Sequence, residues 1–230
     1  MDLISTLRST GAVREFLPEP IGDDVLRRML DTARFAPSGG NRQGWRVIVV
    51  KDPDKRAALR DIYLKGWYPY LAMVSAGLVA WAPVTDREAE TAAIAHAPAF
   101  EEAAAAAPGF AEMIDRAPAL LLVVADLSAL AAIDRDLDRY TFAGGASLYP
   151  FVWNLLLAAR EEDIGGVMTT VAIRHEDEVK ALFDMPETFA VATLVVLGRP
   201  VKAARKLRRA EVDEFTWVDR FQGDPLAMVK

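Results

Sequence analysis

Apolar and polar positions follow two rhythms along this chain, and the changes of rhythm mark its elements. Over residues 22–36, Val25, Leu26, Met29, Leu30 and Ala33 recur at three- and four-residue intervals. Asp23 and Asp24 stand at the start, where a helix end favours negative charge, and Pro37 closes the helix. "RVIVV" (46–50) reads as a short buried strand, and "KDPDK" turns the chain into a second helix predicted from Asp54 to Tyr63. "ALLLVVAD" (119–126) and "FAVATLVVLG" (189–198) are continuous apolar runs, the pattern of strands covered on both faces. Leu148, Val152, Leu155, Leu156 and Ala159 keep helical spacing over 146–160. "GGVMTT" (165–170) reads as strand or loop and "HEDEVKALF" (175–183) as helix. Residues 66–117 are less regular and Ala-rich, while 199–230 are polar and basic first and aromatic later. Interleaved helices and strands predict one domain over 1–230, α/β or α+β, with helices on a sheet and an insertion before the second strand.

Composition narrows the chemistry. A chain of 230 residues can bury a full core, and its net charge of −6 argues against a nucleic-acid or anionic-membrane binder. With no Cys there is no disulfide, thiol catalysis or thiolate metal site. His96 and His175 lie too far apart in sequence to suggest a zinc site. "MDLISTLRSTGAVREF" has no apolar core of the signal-peptide kind, so a cytoplasmic location is expected. Gly66–Thr85 carries no charge over about the 20 residues that span a bilayer. Pro69, Pro83, two glycines and four aromatic rings make it instead a buried or substrate-facing lid. The acidic runs "EEDIGG" and "DRDLD" read as solvated helix ends or turns.

Three stretches concentrate groups that could hold a ligand. "STGAVREF" sets small residues before Arg14, where bare backbone N–H groups and a guanidinium could hold an anion. "APSGGNRQGW" offers exposed backbone and amides to a flat polar ring. "ARKLRRAEVDEF" places Lys206, Arg208 and Arg209 within four residues. No dinucleotide fingerprint or P-loop occurs.

The order "STGAVREF … ARFAPSGGNRQGWRVIVV … NLLLAAREEDIGGVMTT … VVLGRP … LRRAEVDEF" resembles the nitroreductase-like FMN flavoproteins, over nearly the whole chain except about 52–118. The resemblance implies an α+β fold: a central, mostly antiparallel sheet covered by helices, a helical lid over about 60–117, and an extended C-terminal arm. It implies FMN, with Arg14 and the backbone of Thr10 and Gly11 at the ribityl-phosphate, and Pro37, Ser38, Gly39, Asn41 and Gln43 at the ring of a flavin held mainly by the other subunit. Met168, Thr169 and Thr170 would lie beside the flavin N5 edge. Arg208 would meet the phosphate, assisted by Lys206 or Arg209. The family often has Arg and Ser where this chain has Gly11 and Ala12, so fewer side chains grip the phosphate here. A homodimer is implied, taking hydride from NADH or NADPH and passing it to an aromatic, nitro or quinone-like acceptor in a ping-pong cycle. Tyr63, Trp67, Tyr68 and Tyr70 are candidates for the acceptor wall. The alternatives are a flavin-sequestering protein or a specialised relative, such as a reductive dehalogenase or a flavin-destroying enzyme.

Overall fold

The two continuous apolar runs are the middle strands of one sheet. The computed structural model describes residues 2–202 and 207–226, and contains β1 (Trp45–Val49), β2 (Ala119–Asp126), β3 (Gly165–Thr169) and β4 (Phe189–Gly198) in the order β1-β2-β4-β3. Every pairing is antiparallel, which makes the class α+β. Alternate residues of β2 face opposite cores. Leu121 and Val123 pack with helices α2 (Asp23–Ala33) and α6 (Tyr149–Glu161); Leu120, Leu122 and Val124 pack with α3 (Pro53–Ser75). Burial on both faces is why neither run shows polar alternation. In β4 the register shifts between Val123↔Thr193 and Val124↔Val191, so Ala192 is an extra residue. This bulge keeps Ala190 and Ala192 on the α6 side and Phe189 and Val191 on the α3 side.

Helix α3 is longer than its sequence predicts. It starts as expected: the Asp52 carboxylate accepts from the Lys55 N–H at 2.9 Å and Pro53 takes the first turn. It then continues past Tyr63 to Ser75, through Pro69, whose ring nitrogen has no hydrogen to give the carbonyl four residues back. Tertiary burial outweighs that loss, because Leu59, Ile62, Tyr63 and Met73 are all core. Residues 60–75 are therefore a layer of the fold rather than lid, and the excursion occupies 76–117. It holds α4 (Arg87–Ile94) and α5 (Ala97–Ala106), both packed on α3. The uncharged stretch 66–85 breaks at Gly77, in the left-handed region at φ +79°. Among the described residues no helix is long and apolar enough to cross a membrane.

Two short helices complete the body, α1 (Leu3–Ser9) and α7 (Glu176–Leu182). Beyond β4 the arm over 207–226 has a 3-10 turn at Val212–Glu214 and a bridge between Trp217 and Pro225. Phe215, Phe221 and Leu226 on it are exposed.

Candidate functional site

The outer edge of β3 gathers the first group of candidates. Residues 12–13 meet this edge, where Val13 N–H donates to the Gly166 carbonyl at 2.9 Å; the chain then pairs with the segment after β4, Leu17 N–H donating to the Arg199 carbonyl at 2.8 Å. The paired glycines of "GGVMTT" permit that approach, since a Cβ on Gly165 would meet the Val13 side chain at 2.7 Å. Strand geometry turns the polar groups of alternate residues to the same side, so Met168 N–H and C=O face the same edge as those of Gly166. The segment from Val13 pairs at Gly166 and leaves the edge at Met168 open.

Around that edge the structure brings several predicted residues together. The side chain of Leu207 lies against Gly11, where a Cβ would come within 2.8 Å of Cδ2, so the residue preceding Arg208 sits on the segment that carries Arg14. Arg14 and Arg208 are exposed, and their guanidinium groups make no hydrogen bond or ion pair among the described residues. Arg209 is engaged, its guanidinium donating to the Arg208 carbonyl at 2.6 Å. Lys206 lies outside the described residues. Thr10 is buried, and its backbone N–H, the group expected at the phosphate, donates to the Thr6 carbonyl at 3.0 Å, as does its hydroxyl at 2.7 Å. Arg14 also borders a cleft of about 670 Å³ walled by Phe16, Phe110 and Met113.

Tyr63 is fully buried, and its hydroxyl is 3.0 Å from Thr169 Oγ1. Burial pushes this phenol up to about 12, against the hydrogen bond with Thr169 and the positive charge of Arg14. The Thr169 carbonyl in turn accepts from Thr193 Oγ1 at 2.9 Å, so the end of β3 is fixed from two sides. Tyr63, Trp67 and Tyr70 fall on one face of α3 and stack in series at 5.9 and 5.1 Å between centroids, and Trp81 extends the row at 6.3 Å. Arg174 covers the outer ring, 5.0 Å from the Trp81 centroid. Tyr68 is rotated about 140° from Tyr63 around the helix and borders a separate surface groove with Pro98 and Glu101. The four proposed acceptor-wall residues are therefore not one wall.

The second group stands at the opposite edge of the sheet, in the loop before β1. Gly40, Asn41 and Gln43 all have positive φ (61°, 52° and 51°), a conformation that costs free energy for the two residues with a Cβ. A set of hydrogen bonds holds it. Ser38 Oγ accepts from Gln43 N–H at 3.0 Å, and Gln43 Nε2 donates to Asn41 Oδ1 at 3.1 Å. Gly39 N–H donates to Ser147 Oγ at 3.0 Å. Pro37, Gly39, Asn41 and Gln43 are exposed. β1 and β3 are three strand spacings apart, about 14 Å, so the two groups stand at opposite edges of the sheet. Ser147 is a residue that the sequence does not single out, because nothing in its spacing connects it to a partner 108 positions away.

This four-stranded antiparallel sheet, with α2 and α6 on one face and α3 on the other, is the nitroreductase fold, shared with solved structures of nitroreductase-family proteins. The chain belongs to the nitroreductase family, whose model matches residues 7–199. It is 28% identical over 191 residues, 83% of each chain, to the NADH dehydrogenase of Thermus thermophilus. In structure it is similar to a BluB-like flavoprotein from Clostridium difficile 630 (TM-score 0.68, 22% identity, covering 94% of this chain and 98% of that one). It is also similar to an oxidised iodotyrosine deiodinase bound to FMN and 3-iodo-L-tyrosine (TM-score 0.65, 23% identity, 96% and 100% covered).

Proposed function

We propose that this protein is an FMN-dependent oxidoreductase that takes reducing equivalents from NADH or NADPH and delivers them to an aromatic, nitro or quinone-like acceptor. The observation that carries the reading is the meeting of Arg14, the Arg208 segment and the open backbone of Met168 along one strand edge. Two cations without a partner among the described residues, near the outer edge of β3, suit a ligand with an anionic tail and a flat polar ring. The Thermus thermophilus relative, named an NADH dehydrogenase, and the FMN in the deiodinase structure point the same way.

FMN, when bound, supplies the hydride chemistry, which no side chain here could supply. The chain's own residues bind and orient. Arg14 and Arg208 offset the phosphate, which carries nearly two charges at neutral pH. Met168 N–H would donate to the bound ring. Tyr63, held by Thr169, packs behind β3 and keeps water from its inner face. The loop at Pro37–Gln43 of a second copy would help to hold the ring.

Gly11 and Ala12, which bring no side-chain donor to the phosphate segment, favour one second reading, a protein that holds flavin without turning it over. The test is direct. Purified protein is expected to be yellow, or to bind added FMN with a thermal shift, and to oxidise NADH or NADPH when a quinone is supplied. Absence of any FMN binding would reject the proposal, and FMN binding without oxidation of either donor would select the second reading.

A further inference from the structure

Asp134 opens the acidic run "DRDLD", where a solvated turn is the ordinary expectation, yet its side chain is 3% exposed. Four groups donate to its carboxylate. Thr141 Oγ1 reaches Oδ1 at 2.6 Å, and Phe142 N–H reaches Oδ2 at 2.9 Å. Ala143 N–H is shared between both oxygens at 3.3 and 3.2 Å, and Arg139 Nη1 meets Oδ2 at 2.8 Å. A carboxylate only accepts, and bonds to an ionised group are stronger than neutral ones, so this one side chain wraps residues 139–143 around itself.

That wrap leads into a second structure. Ala143, bound to Asp134, is also the first residue of the 3-10 turn Ala143–Ser147. Gly145 N–H donates to the Phe142 carbonyl at 3.1 Å and Leu148 N–H to that of Gly145 at 3.0 Å, so the turn carries the placement of Ala143 forward to Ser147. Ser147 Oγ then accepts the Gly39 N–H. The loop it holds has three residues at positive φ, and such a conformation persists only where its surroundings over-determine it.

We propose that Asp134 is a positioning residue for the loop Pro37–Gln43, acting through the Ala143–Ser147 turn and the Ser147 hydroxyl. It touches neither the loop nor any ligand. The consequence for cofactor affinity rests on the flavin reading above; the effect on the loop does not. The same segment is approached from the lid, where Arg87 Nη2 donates to the Tyr140 hydroxyl at 2.8 Å. Removing that hydroxyl leaves every bond to Asp134 in place and serves as a control.

The test is hydrogen–deuterium exchange of flavin-free protein, read on peptides covering 38–43. Asp134→Asn keeps the size of the side chain but replaces one acceptor with a donor. Exchange over 38–43 is expected to rise up to about tenfold, the equivalent of one lost hydrogen bond. Ser147→Ala should give the same rise and the double variant no more, since both cut one path. Tyr140→Phe should leave these peptides as in the parent. Should Asp134→Asn not fold, Thr141→Val, which removes one donor at nearly constant shape, is expected to raise exchange over 38–43 by a smaller factor. Unchanged exchange in the folded variant, or fully additive rises in the double variant, would overturn the proposal. Titration with FMN separates the two readings: altered exchange in the variants of a parent that binds no FMN defeats the flavin reading alone. Altered exchange with FMN weakened only in the variants supports both.

Discussion

Arg208 is the residue whose role separates a phosphate site from a solvated turn. A hydrogen bond to a charged group is worth roughly 1.5–3 kcal/mol, and each 1.4 kcal/mol is tenfold in affinity. Arg208→Ala is therefore expected to weaken FMN binding by about 10- to 100-fold, while riboflavin, which lacks the phosphate, binds parent and variant alike. Arg209→Ala should do less, because that guanidinium is already bonded to the Arg208 carbonyl. Paired titrations of the two flavins decide the matter: equal losses for both would assign Arg208 to the fold of the segment, and no loss to a solvated turn. At this scale the sequence is legible where unusual residues stand close together, as in "PSGGNRQ", which folds into the loop with three positive φ angles. It is silent where a common residue acts over a distance. Ser147 is one serine in a run of small residues, and Asp134 is one acid among several. Only folding shows that the first reaches Gly39 and the second is buried.

Elements were legible in proportion to how much of their surface is covered. β2 and β4 coincide with the two apolar runs residue for residue, since a strand buried on both faces has no polar positions to blur its ends. Helix α3 was legible only to Tyr63. Its second half carries Gly66, Pro69 and several aromatic rings, and its helicity comes from packing that no local pattern records. β3 was ambiguous because its two leading residues are glycines, chosen for what approaches them rather than for strand propensity. A Cβ at Gly166 would lie 2.6 Å from the Val196 carbonyl oxygen and 2.5 Å from Leu197 Cδ2. The carbonyl belongs to the partner strand and cannot move aside alone. Gly166→Ala is expected to destabilise the protein by about 1–3 kcal/mol, the usual range for overpacking. Urea unfolding should show a lower midpoint at unchanged slope, and an unchanged midpoint would mean that the edge strand shifts freely.

At the scale of the molecule, the sheet order itself argues for two copies. One chain places Arg14, Met168 and the Arg208 segment at the β3 edge and the strained loop Pro37–Gln43 at the β1 edge; on the proposed reading, a second chain would supply whichever half is missing. The exposed apolar side chains fit this arrangement: Leu3 and Ile4 on α1, Phe35 beside the loop, Phe142, and Phe215 and Phe221 on the arm. Light scattering is expected to report about twice 25.2 kDa. Mass alone does not show that the site is shared, but mixing damaged subunits does. Arg14→Ala combined with Arg208→Ala removes the cations of one half. Gly40→Val forces a β-branched residue into the left-handed region and reshapes the other half. Each variant alone should bind FMN poorly. Unfolded together in equal amounts and refolded, half of the twofold-symmetric dimers would be mixed, and each mixed dimer would pair the two intact halves in one of its two sites, so about a quarter of all sites should bind FMN again. If each chain instead holds a whole site, every chain in the mixture is defective in one half, and no binding returns.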